Sequence, residues 1–221
     1  MIEFHNVTKQ FVTNGKIKTV ISDLNLSLPG RRSLGLLGRN GAGKSTLLNM
    51  IAGTSEPTYG QIVTEGLVSW PVGFAGSFHP DLTGLQNCRF ISRIYGVDTD
   101  GLVEFVEDFA GLKEHFRMPL RSYSSGMKSR LAFAVSMGIE FDIYLVDEIT
   151  AVGDAAFRES SDRLFQARTQ SSSAVVCSHS MDQVKRLCDC ALVLGDDGAQ
   201  FFESVDEAIQ VHKHNMAQLV R

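Results

Sequence analysis

Residues 38–46 read Gly-Arg-Asn-Gly-Ala-Gly-Lys-Ser-Thr, and no other stretch limits the fold as much. It fits the spacing G-x-x-x-x-G-K-[ST] and has the flanks that spacing needs. Before it, Ser33 to Leu37 is a short apolar run, expected as a buried strand. After it, Ser45 to Ala52 reads as a helix, ended by Gly53 and Pro57. The glycines let successive backbone N–H groups curl around an anion. The helix start adds its positive dipole end. Gly38, Asn40, Gly41, Gly43 and Thr46 are therefore expected around phosphate oxygens. Lys44 places a point charge between the β- and γ-phosphates, and Ser45 offers a hydroxyl to Mg²⁺, which takes hard oxygen ligands.

A strand–loop–helix unit of this kind belongs to an α/β core, and the rest of the chain agrees. Strands are expected at 143–146, 174–177, 191–194 and 200–202. Helices are expected at 83–95, 101–109, 124–139, 157–168 and 181–187. Strands alternating with helices after residue 33 imply a parallel sheet. Before it, Ile2 to Val7 and Leu24 to Leu28 alternate in polarity, as antiparallel strands with one solvated face do. The tail from Ser204 carries a capping-box pattern, Ser204-Val205-Asp206-Glu207, followed by Ile209 and Met216 roughly on one helical face.

Composition excludes several functional classes. The 221 residues suit one domain, or one with a small lobe. Lys and Arg number 21 against 25 Asp and Glu, so no basic excess points to nucleic acid as a partner. No apolar run approaches the ~20 residues of a spanning helix. Met1 to His5 carries an acid and lacks the apolar stretch of a leader. A cytosolic chain is expected, with any membrane crossing left to another protein. Cys88, Cys177, Cys188 and Cys190 form no Cys-x-x-Cys pair and read as reduced thiols. His212 and His214, two apart on a helix, face different ways and do not suggest a metal site.

Two further stretches carry chemistry. Ile143 to Val146 is apolar and closes on Asp147 and Glu148. A buried strand delivering Asp147 beside the phosphate loop could hold Mg²⁺ through water. Glu148, just beyond, could deprotonate a water as a general base. Without the phosphate loop, a strand ending in two solvated acids would explain the pair as well. At Tyr123-Ser124-Ser125-Gly126-Met127, Ser124 is a good N-cap and the next two residues leave backbone N–H groups accessible. Alone, that is an ordinary capped helix.

The order of these features, with Asp154 and His179 following, resembles the nucleotide-binding subunit of ABC transporters across essentially the whole chain. The resemblance implies a P-loop NTPase (RecA-like) α/β core with an antiparallel β subdomain and an inserted α-helical subdomain at about residues 75–140. All of it forms one cassette over 1–221, with a short helical tail at about 204–221. By the same resemblance, 38–46 is the Walker A loop and Ser124, Ser125 and Gly126 form the signature loop. Asp147 is then the Walker B aspartate and Glu148 the catalytic glutamate. Asp154 falls in the D-loop, His179 is the switch histidine, and Phe11 is the aromatic that stacks on adenine. A core aromatic is the rival reading of Phe11. The implied cofactors are ATP and Mg²⁺, and the implied partners are a second copy of the chain and an integral membrane permease.

A finer pattern runs from Gly73 to Gly84, where Gly-Phe-Ala-Gly-Ser-Phe-His-Pro-Asp-Leu-Thr-Gly stands in place of a segment that usually holds glutamine. No glutamine lies between Gln61 and Gln86, which leaves His79 or Ser77 to take its role, or a link through backbone alone, or His79 simply to fill a loop. With Asp147-Glu148-Ile149-Thr150-Ala151-Val152-Gly153-Asp154, the pattern is similar to the polysaccharide-export branch. The short chain is most like a capsular polysaccharide exporter's ATPase. That resemblance implies a peripheral protein on the cytoplasmic face of the bacterial inner membrane, with periplasmic and outer-membrane export partners. O-antigen or teichoic acid export, another transport class, and a soluble non-transport ABC ATPase are the alternatives. A P-loop kinase or GTPase would lack the Ser-Ser-Gly helix and the His179 switch.

Overall fold

The computed structural model describes residues 1–73, 76, 78–147, 154–195 and 198–218. By contacts the chain divides into two compact units. One comprises Met1–Pro71, Phe141–Glu148 and Thr169–Arg221; the other comprises Val72–Glu140 and Ile149–Arg168.

The first unit holds both sheets. In the three-stranded one, β1 (Ile2–Thr13) lies between β2 (Lys16–Leu28) and β4 (Tyr59–Thr64), all antiparallel. Ile2, Phe4, Val7, Ile21, Leu24 and Leu28 are buried while the intervening polar residues face outward. Strands β1 and β2 run well past the alternating segments, to a turn at Asn14-Gly15. Both turn residues have positive φ, 52° and 72°, the combination that a two-residue hairpin turn requires.

The six-stranded sheet has the order β5 (Val68–Pro71), β6 (Ile143–Asp147), β7 (Ser173–Cys177), β3 (Ser33–Gly38), β8 (Cys190–Gly195), β9 (Gly198–Phe202). The first five are parallel and β9 pairs antiparallel with β8. Every residue of β3 is buried, which is why it reads as a continuous apolar run rather than an alternation. Helix α1 (Lys44–Ile51) packs Leu47, Leu48, Met50 and Ile51 into a core shared with both sheets.

The second unit is helical. Its elements are α2 (Gly84–Tyr95), α3 (Thr99–Ala110), α4 (Ser125–Gly138) and α5 (Ala155–Thr169, of which 155–168 group here). Thr83 and Gln86 cap α2 reciprocally, and Asp98 caps α3. Seven consecutive residues of α4, Leu131 to Met137, are buried, so its second half is enclosed on all sides while its first half, with Lys128 and Arg130, is not. An aromatic cluster joins three of these helices. Phe109 lies 6.0 Å from Phe133 and 5.4 Å from Phe157, and Phe133 lies 6.1 Å from Phe157. Helix α5 groups with this unit although it follows β6 in the chain.

The first unit also contains α6 (Met181–Leu187) and α7 (Val205–Gln218). Ser204 accepts the Glu207 N–H at 3.4 Å, the forward half of the capping pattern. Val184, Val193, Ala208 and Ile209 form a second small core there. Among the described residues, no helix is long and apolar enough to cross a membrane.

Phe133, 2% exposed, anchors the aromatic cluster. Phe133→Ala is expected to cost about 3–5 kcal/mol by leaving a cavity, read as a lower midpoint in urea denaturation.

Candidate functional site

Three parallel strands bring the site together. Register pairs Leu36 of β3 with Cys177 of β7, and Cys177 with Asp147 of β6. Their carboxyl ends therefore share one edge of the sheet, where ligands of α/β sheets bind. The loop 38–43 leaves β3 at that edge. Gly41 and Gly43 take φ of 78° and 106°, a region that residues with a Cβ rarely enter. A Cβ on Gly43 would also run into Val20 of β2, so the hairpin strand fixes the back of the loop.

Lys44 is 8% exposed. Its ammonium donates to the carbonyls of Gly38 at 2.7 Å and Arg39 at 3.0 Å. A buried cation needs such partners, and here its own loop provides them.

A cavity of about 530 Å³ opens in front of this loop. It is lined by Asn40, Gly41, Gly43, Lys44, Ser45, Thr46, Asp147, Cys177 and His179, and by Phe11, Thr13, Lys18 and Val20 of the hairpin. Phe11 is 43% exposed and belongs to this wall, not to the core. Ser45 and Asp147 bring a hydroxyl and a carboxylate to one cavity, a hard-oxygen set that suits Mg²⁺. Gly38 ends β3 behind the loop and accepts from Lys44. Glu148 and residues 149–153 lie outside the described residues, as do Phe74, Ala75, Ser77, Asp196 and Asp197.

The remaining candidates lie in the helical unit. Ser124 caps α4, its hydroxyl accepting the Met127 N–H at 3.2 Å. Ser125 is exposed and open space surrounds the Gly126 α-carbon, so backbone N–H groups of this helix start are accessible. Asp154 accepts the Phe157 N–H at 2.9 Å and pairs with Arg130 at 2.7 Å. The Phe157 N–H and then Arg130 hold its carboxyl below the usual range. Arg130 also lies 4.9 Å from the Phe157 ring centre. Asp154 thus starts α5 and ties it to α4, a structural task the sequence reading did not give it. His79 accepts the Asp81 N–H through Nδ1 at 3.3 Å, and its backbone is bound on both sides by Asn87, so it shapes the turn before α2.

Sequence reasoning also missed His212. Burial first, then the charges of Lys44 and His179, lower its pKa, so α7 sets an imidazole within electrostatic reach of the phosphate loop.

Residues 21–151 match the ABC transporter family. The chain belongs to that family. It is 45% identical to the polysialic acid transport ATP-binding protein KpsT of Escherichia coli, over 96% of both chains. It is 43% identical to the capsule polysaccharide export ATP-binding protein CtrD of Neisseria meningitidis, over 96% of this chain and 98% of that one. In fold it is similar to the ATP-binding cassette MJ0796, whose dimeric structure holds ADP and Pi. The TM-score is 0.77 at 22% identity, covering 91% of this chain and 98% of that one. Members of this family are ATP-binding cassettes.

The lowered pKa of His212 has a signed consequence. As pH falls through the ordinary imidazole value of 6.5, the unfolded chain takes up this proton before the folded one. Stability present above that value is therefore lost on acidification. His212→Gln should show a smaller fall in Tm than wild type between about pH 7.5 and about pH 5.5, measured by thermal denaturation.

Proposed function

We propose that this chain is the ATP-hydrolysing subunit of an exporter of capsular polysaccharide, working as a homodimer beneath a separate membrane permease. The observation that carries the reading is its match, over nearly the full length, to capsule-export ATP-binding proteins. The cavity at the carboxyl ends of β3, β6 and β7 supports it.

In this reading Phe11 stacks on adenine. Loop residues Asn40, Gly41 and Gly43 direct N–H groups at phosphate oxygens, and Thr46 and the start of α1 extend that cradle. Lys44 exchanges its loop carbonyls for the β- and γ-phosphates. Ser45 and Asp147 would hold Mg²⁺, which neutralises charge on those phosphates. Glu148 takes a proton from the attacking water, and His179 steadies the water and the γ-phosphate. Ser124, Ser125 and Gly126 of the second copy offer the N-terminus of α4 to the same γ-phosphate. Donors aimed at charge as it develops give the largest catalytic effect when water is excluded. Asp154 sits beside the segment that would meet the second copy.

The permease contact falls to the helical unit. Helix α2 leaves Phe90 and Ile94 55% and 61% exposed, one turn apart, with exposed Arg89 and Arg93 beside them. Among the described residues neither arginine forms an ion pair. Two adjacent uncovered apolar side chains flanked by unpaired arginines are what favours this face for the contact. The chain then resides at the cytoplasmic face of the inner membrane, and periplasmic and outer-membrane proteins complete the export path. Nothing in the charge balance calls for nucleic acid.

The test is co-purification with the permease, followed by ATPase assays in liposomes with and without capsular polymer. Wild type should be stimulated by the polymer. The double variant Phe90→Asp/Ile94→Asp should keep the basal rate of the isolated subunit and lose both co-purification and stimulation. Lys44→Ala should lose ATP binding and all turnover. A chain that never joins a permease, or whose ATPase ignores the polymer, would contradict the export reading.

A further inference from the structure

The hairpin of β1 and β2 makes one wall of the cavity, and Phe11 is its aromatic residue. An exposed ring is not held by core packing, so something else must set its orientation. Lys9 does this. Its Nζ lies 5.3 Å from the centre of the Phe11 ring and donates to the Glu56 carbonyl at 2.5 Å.

The carbonyl is itself anchored. Glu56 lies just before β4, where the Thr58 N–H donates to the Thr8 carbonyl at 2.8 Å. The Gln10 N–H donates to the Thr58 hydroxyl at 2.9 Å. The β1–β2 register also shifts on each side of Lys9, and such irregularities re-aim side chains. Lys9 is thereby pinned at its backbone and at its ammonium.

Phe11 lines the cavity, whereas Lys9 is not among the lining residues. The ammonium thus contacts the ring without forming part of the cavity wall. A cation is attracted to the face of an aromatic ring. Lys9 lies over one face of the ring, and a ring has a second face on which a base can stack.

We propose that Lys9 is a positioning residue for the nucleotide base: it holds the Phe11 ring by one face as a pre-set plate. This rests on reading the cavity as the ATP site. Ordering the ring before binding removes part of the entropy that stacking would otherwise cost. The contribution is specific to the base, because the phosphates lie at the other end, on Lys44 and α1. Neither a phosphate-binding role nor a purely structural one has that property.

Calorimetric titration of the full chain with Mg-ATP and with inorganic tripolyphosphate, which has no base, tests this. Lys9→Met should weaken ATP about two- to five-fold and raise KM for ATP while kcat holds. Tripolyphosphate affinity should not change. Lys9→Arg should restore ATP affinity, since a guanidinium also stacks on aromatic faces. In a Phe11→Leu background, Lys9→Met should do nothing further. An unchanged ATP affinity in Lys9→Met would overturn the proposal. So would equal losses for both ligands, or the same loss without the ring. Wild type that binds tripolyphosphate as well as ATP would remove base recognition altogether. Wild type that binds neither would instead overturn the reading of the cavity as an ATP site.

Discussion

The buried ammonium of Lys44 is the constraint on which the rest depends. A cation so shielded must be surrounded by oxygen, and two carbonyls of its own loop meet that need. The loop can turn back on itself only because glycines occupy its positive-φ positions. It can be anchored only because β3 is buried on both faces at the middle of the sheet. Phosphate oxygens are the natural replacement for those carbonyls, so one loop geometry serves both stability and binding. The parallel registers then deliver Asp147 and His179 to the same edge.

The helical unit answers a different need. Its core is aromatic, with Phe109, Phe133 and Phe157 in mutual contact. That core supports α4, whose N-terminus carries Ser124, Ser125 and Gly126. Asp154 and Arg130 tie the start of α5 to α4, the helix that begins at Ser124, Ser125 and Gly126.

The phosphate loop was legible because its chemistry is local: spacing, flanking strand and helix all lie within about twenty residues. The parallel core was legible too, since buried strands read as short apolar runs between helical segments. The hairpin was harder. Phe11, Val12 and Ile17 are exposed apolar residues, so no buried face marked these ends of the strands, and the Asn14-Gly15 turn signal went unread. Strands β4 and β5 hide in polar or proline-containing sequence, with Tyr59 exposed and Pro71 at a sheet edge. The contacts of Lys9 with Glu56 and of Asp154 with Arg130, and the surroundings of His212, were not legible, because each depends on a partner brought near by tertiary folding. The capping pattern at Ser204 predicted a helix start, but not that the helix would carry His212 toward the phosphate loop.

The central claim is that each ATP is enclosed by the loop of one copy and the α4 N-terminus of another. Light scattering of the Glu148→Gln chain tests it most directly, since a subunit that binds ATP without hydrolysing it should stay closed. The mass should double when Mg-ATP replaces Mg-ADP, and Gly126→Asp added to the same chain should abolish the doubling. An equal mass in both nucleotides, with ATP bound, would contradict a shared site.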